Sequence, residues 1–154
     1  MSRHYCLYKN DVVTLVLLLL FCEVSYSESS VQIWERAKTL ITEGKVDEAE
    51  KVFEDLLINS PNDGNIIMGL GYIKYHKGKM VLKSGDFKKA MDVFREAKKM
   101  FDTSANIGTS EIKSKSHFNK GNCHLVLADF IENSKQPLEG ISTSNIYKEA
   151  VNSY

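Results

Sequence analysis

Ser84-Gly85-Asp86-Phe87-Lys88-Lys89-Ala90-Met91-Asp92-Val93-Phe94-Arg95-Glu96-Ala97 decides how this chain folds. Glycine and aspartate make a tight turn. Phe87, Ala90, Phe94 and Ala97 then follow at three- and four-residue steps, the apolar stripe of a short helix. Ala90 is the small residue of that stripe, where a neighbouring helix can approach closely. The same grammar occurs at Gly44-Lys45-Val46-Asp47-Glu48-Ala49, with Phe53 four residues on, and incompletely at Tyr147-Lys148-Glu149-Ala150, with Tyr154 four residues on. A spacing kept in three places implies repeated helical hairpins.

Working outward, a helix is expected over Val31 to Thr42, with Ile33, Trp34, Ala37, Leu40 and Ile41 on one face and Gly44 stopping it. Its partner runs from Val46 to Ile58 and buries Ala49, Val52, Phe53, Leu56 and Leu57. Asp47, Glu48, Glu50, Lys51, Glu54 and Asp55 point outward, and acids in the first turn suit the helix dipole. Asn59-Ser60-Pro61-Asn62-Asp63 breaks the chain. The next helix spans about Asn65 to Leu82. Gly69 and Gly71 each cost it about 1 kcal/mol against alanine, which close packing against the preceding pair would justify. Asp86 to Phe101 is the sharpest amphipathic helix, and Lys98 and Lys99 fit its C-terminal dipole. Asp102 to Thr109 reads as a polar loop and Glu111 to Asn133 as a long helix. Ser134 to Thr143, with Pro137 and Gly140, reads as irregular. Ser144 is the expected N-cap of a last helix stopping at Tyr154. A terminal unit that short leaves a core face to be covered by fraying, by further chain or by a partner.

These segments resemble the second helix of the tetratricopeptide repeat, a helix-turn-helix unit of about thirty-four residues. In that family a small residue of the first helix precedes the alanine of the second by about twelve positions, as Ala37 precedes Ala49 here. Ala49 to Gly71 is twenty-two, which also fits. Gly71 to Ala90 is nineteen, seven more than the pattern, and seven residues are two helical turns that leave the buried face in place. Gly78, seven before Gly85, is a second candidate hinge. Phe118-Asn119-Lys120-Gly121-Asn122 looks like the first helix of a third unit, with excesses of nine from Ala90 and seventeen to Ala150. The resemblance therefore implies an all-α fold: a tetratricopeptide-like α-solenoid of antiparallel helix pairs over residues 31–154, about three units with two expanded and the last incomplete. It also implies a concave surface that takes peptides or partner helices. The inward positions are Trp34 and Lys38, then Met68, Tyr72 and Tyr75, then Phe118 and Asn122. Trp34 and Phe118 fit a core role equally well. Hydrophobes largely replace the lysines and asparagines with which such repeats grip a C-terminal carboxylate, so a tail clamp is disfavoured.

Residues 1–27 read as an export signal, or else an uncleaved anchor. Arg3 and Lys9 open it, Val12 to Cys22 is apolar except for Thr14, and Ser25-Tyr26-Ser27 favours cleavage before Glu28. Leu19-Leu20-Phe21-Cys22 loosely resembles a bacterial lipoprotein signal, which makes Cys22 a candidate lipidation site. Each reading places the repeats outside the cytoplasm, in the periplasm or at the envelope, with membrane attachment through the N-terminus in the last two.

The 154 residues carry 43% hydrophobic and 26% charged side chains and no net charge, ordinary for one globular domain. Basic residues are interleaved with acids, so no nucleic-acid partner is indicated. Of three cysteines, only Cys123 would survive processing, which excludes an internal disulfide. His117 and His124 lie about 10.5 Å apart along a helix, too far to share a metal ion. Cys123 has no motif around it and reads as a small buried hydrophobe. Gly69-Leu70-Gly71 lacks the strand that a phosphate loop needs. No cofactor and no enzyme are expected. The expected role is a non-enzymatic protein–protein interaction scaffold of the bacterial cell envelope. The third-unit residues also look like repeat proteins of bacterial aerotolerance operons. The alternative is a lipid-anchored assembly factor for outer-membrane or pilus components.

Overall fold

The computed structural model describes residues 29–134 and 143–153. The export segment with Cys22, the stretch around Pro137 and Gly140, and Tyr154 lie outside the described residues. Six helices are present among them and no strand: α1 (Ser30–Thr42), α2 (Val46–Asn59), α3 (Gly64–Lys83), α4 (Phe87–Ile107), α5 (Ser110–Ser134) and α6 (Thr143–Val151).

Local chemistry sets most of the boundaries. Ser29 accepts from the Gln32 amide while the Gln32 side chain accepts from the Ser29 amide, a reciprocal capping box, so the first helix begins at Ser30, one residue before the expected Val31. After α1 the chain turns through Gly44 at φ 78°, with the Gly44 amide on the Ile41 carbonyl and the Lys45 amide on the Leu40 carbonyl. That pair of bonds satisfies carbonyls the helix end would otherwise orphan. Gly85, at φ 87°, closes the α3–α4 hairpin, and the Asp86 carboxylate accepts from the Lys89 amide to start α4. Asp63 caps α3 in the same way.

Sequential helices run antiparallel, as the contact pairs along each interface show. Down the α3–α4 seam, Gly64 lies against Gly108, Gly71 against Phe101 and Gly78 against Phe94. Glycines and their partners both recur every seven residues, the spacing that keeps a seam facing its neighbour along two helices. A Cβ on Gly71 would sit 2.7 Å from the Phe101 ring, and one on Gly78 would sit 2.9 Å from the Phe94 ring. On the other side of α3, a Cβ on Gly69 would overlap the Phe53 ring of α2. The glycines are notches for phenylalanines, and Gly78 lies inside one continuous helix rather than at a break. Ala49, Phe53, Ala90, Phe94, Ala97 and Phe101 are all buried, three alanine–phenylalanine pairs with the same four-residue spacing.

The odd-numbered helices touch one another, α1 with α3 and α3 with α5, whereas α2 does not reach α4 and α4 does not reach α6. Each even helix instead packs on its odd neighbours. The middle pair is also longer than the first by seven residues in each arm, 20 and 21 against 13 and 14.

Four expectations need correction. The stretch from Asp102 to Ile107 is helical, because Phe101 and Ala105 continue the buried stripe and the buried Ser104 and Ser116 hydroxyls bond each other across to α5. Lys98 and Lys99 therefore sit in mid-helix rather than at a C-terminus. Glu50 points inward, to hydrogen bonds from Lys74 and Lys77 at 2.7 Å each. Ser144 is the second residue of α6, not its cap.

Candidate interaction cleft

Helical periodicity brings separate short runs to one place. Trp34 and Lys38 share a face of α1, Asn65, Met68 and Tyr72 a face of α3, and Ser114, Lys115, Phe118 and Asn119 a face of α5. Together these residues line an open cleft of about 660 Å3 across the three odd helices. Five of the seven expected inward residues meet here: Trp34, Lys38, Met68, Tyr72 and Phe118. Tyr75 and Asn122 are not among the lining. Tyr75 packs edge-on to Phe94 with ring centroids 6.0 Å apart, and the Lys79 ammonium lies 5.4 Å over its ring.

The floor is built from α1 and α3. Trp34 stands edge-on to Phe53 at 5.2 Å and to Tyr72 at 6.1 Å, so its ring is braced from below and from the side. Edge-to-face contacts of this kind add about 0.5–1.5 kcal/mol beyond area burial. Tyr72 continues into His76, 4.6 Å between centroids, and burial with nearby Lys79 keeps the His76 imidazole below its ordinary pKa. Phe118 forms the opposite wall and is 56% exposed, which excludes a core role. No carboxylate lines the cleft. Lys38 and Lys115 stand at its rim, each tied to an acid one turn away, Glu35 and Glu111.

Comparison with protein-family models, curated proteins and solved structures finds no significant match. The cleft has to be interpreted from its own chemistry.

The lining is mainly aromatic, aliphatic and amide in character, with two lysines at the rim. No group of three or more His, Cys, Asp or Glu capable of holding a metal occurs among the described residues. Cys123 is fully buried on α5, and burial pushes its thiol up to about 12, so it stays protonated. No described helix is long and apolar enough to cross a membrane. What the cleft offers is rigid aromatic surface, one flexible thioether and hydrogen-bonding amides at its edge.

Proposed function

We propose that the chain is a non-enzymatic, tetratricopeptide-like scaffold of the cell envelope that holds an extended peptide or partner helix in the cleft between α1, α3 and α5. The observation that carries this reading is the convergence of Trp34, Met68, Tyr72 and Phe118 from three helices on one open, uncapped surface. A monomer gains nothing by leaving a phenylalanine exposed there, whereas a partner would bury it against a braced tryptophan, the composition of an interface hot spot. The contact of odd helices with one another, while the even ones stay apart, is the arrangement expected of a curved stack with α1, α3 and α5 on its inner side.

The test is capture of partners from envelope extracts on the immobilised full chain, followed by affinity measurement. Tyr72→Ala and Phe118→Ala should each weaken the principal partner about thirtyfold, the effect of losing about 2 kcal/mol. Phe118→Ala is the cleaner probe because the ring is largely exposed, whereas Tyr72 packs edge-on to Trp34. Recovery of no partner, or affinities unchanged in both variants, would defeat the proposal. The second reading, lipid anchoring through Cys22, rests on Leu19-Leu20-Phe21-Cys22. The mass of the mature N-terminus separates it from cleavage before Glu28.

A further inference from the structure

A second cleft, of about 580 Å3, opens on the opposite face of α5, where α4 and α6 fail to meet. Its walls are Arg95, Lys98, Lys99, Asp102, Thr103 and Asn106 of α4, then Glu149 of α6 with Asn152 and Ser153 in the turn that follows it, and Lys120 and His124 of α5 form the floor. Four permanent cations thus face two carboxylates in a chain with no net charge. Both carboxylates are engaged: Asp102 accepts from Lys120 at 2.7 Å, and Glu149 lies 3.1 Å from His124 Nδ1. Arg95 is bridged to Asp92 at 2.7 Å. Lys98 and Lys99 have no ion pair or side-chain hydrogen bond among the described residues. The helix dipole does not account for them either. It acts within the last turn, and α4 runs on to Ile107.

Two adjacent lysines without partners among the described residues, beside two more cations and the amides of Asn106 and Asn152, form a surface on which described cations outnumber described carboxylates and donors are plentiful. We propose that this cleft binds a phosphate-bearing ligand. A single carboxylate brings one charge and two acceptor oxygens. A phosphate or pyrophosphate brings two or more charges and acceptors pointing in several directions, which suits ammonium groups reaching in from one wall and the floor. The volume falls in the range of about 300–1,000 Å3 typical of small-ligand sites. Burial, helped by Lys98, holds the His124 imidazole below its ordinary pKa against the pull of Glu149, consistent with a Lys98 charge felt at the cleft floor.

Titration of the full chain with inorganic pyrophosphate, followed by calorimetry, tests this. Saturable binding is expected, weakened about tenfold or more in the Lys98→Gln, Lys99→Gln double variant. A Lys51→Gln, Lys113→Gln pair, which removes the same charge from exposed helix positions elsewhere, should bind like the parent. A parallel arm sediments the chain with phosphatidylcholine vesicles with and without phosphatidic acid. Phosphatidic-acid-dependent binding that is lost with Lys98 and Lys99 assigns the phosphate to a lipid headgroup. Pyrophosphate binding alone assigns it to a free phosphorylated compound. Absence of both, or equal losses in the two double variants, overturns the proposal. Circular dichroism of each variant confirms that the comparison is between folded chains.

Discussion

The two junctions between helix pairs solve the same packing problem with different charges. At the first, Lys74 of α3 donates to Glu50 on α2 at 2.7 Å and to Glu96 on α4 at 2.8 Å, so one cation ties together two helices that do not touch. Lys77 adds Asp47 and Glu50, both at 2.7 Å. At the second junction the task is divided. Among the described residues Lys120 pairs with Asp102 on α4, while His124 pairs with Glu149 on α6. The first arrangement has three acids for two cations and is stitched shut. In the second, one tie is to an imidazole whose charge depends on pH, and the surrounding lysines have spare charge. Helix packing alone thus defines each junction's shape, and the polar residues in the crevice decide whether it is closed or accessible.

The largest effects should come from the apolar side of this comparison. Phe53→Ala at the first junction and Phe101→Ala in the α3–α4 seam each empty a glycine notch and should cost about 3–5 kcal/mol in urea denaturation. Equal losses would mean the two regions unfold as one unit, whereas a second transition confined to one variant would mean they are separable. Charge removal comes next. Burial opposes ionisation of Glu50, but bonds from Lys74 and Lys77 outweigh it and hold its carboxyl below the ordinary range. Glu50→Gln leaves both ammonium groups short of a partner in a site where the Glu50 side chain is 11% exposed, and should cost about 2 kcal/mol. Asp102→Asn, at a side chain 48% exposed, should cost under about 1 kcal/mol. A reversal of that order would sink the contrast between a stitched and a loose junction.

Acidity should sharpen it further. The folded pKa of Glu50 is depressed, so its stabilisation is complete above the unfolded carboxylate value near 4.5 and is lost as pH falls through the folded value. His124 is also depressed, by burial and by Lys98 and Lys120, with Glu149 and Asp102 acting the other way. Its neutral burial stabilises fully above the unfolded value near 6.5, and that contribution declines as pH drops below it, since the unfolded chain takes up the proton first. The second junction should therefore weaken in mild acid, well before the first. His124→Gln should flatten the stability profile between about pH 5 and 7 while leaving its acid limb in place. This is the smallest change of the series, and an unaltered slope would show that His124 protonates equally in both states.

What could be read from the chain was what repeats locally. The single helix from Gly64 to Lys83 and the burial of Ala49 and Ala90 follow from three- and four-residue spacing, whereas Trp34, Met68, Tyr72 and Phe118 are singled out together only by the resemblance to the tetratricopeptide repeat. What escaped depends on partners distant in sequence. Asp102-Thr103-Ser104-Ala105-Asn106 looks like a loop by composition, and the buried Ser104 hydroxyl is satisfied by the Phe101 carbonyl of its own helix and by Ser116 on α5. Glu50 looks like a surface acid beside Ala49 until Lys74 and Lys77 arrive from the next hairpin. Lys98 and Lys99 read as dipole complements only if the helix ends beside them, and the buried Ser104 and Ala105 carry it on to Ile107. The sequence does carry a trace of the α3–α4 seam: Gly64, Gly71 and Gly78 run in steps of seven, as do their partners Phe94, Phe101 and Gly108.

That stepping has a consequence for how such a protein can grow. A hairpin whose notches recur every seven residues, about 10.5 Å of helix, can gain or shed one such increment in both arms and mate again without redesign. Adding one or two residues, at about 100° each, would turn the phenylalanines away from their sockets. The middle hairpin, longer than the first by that increment on each side, has the proportions of one such addition, and its length behaves as a quantised rather than a continuous variable.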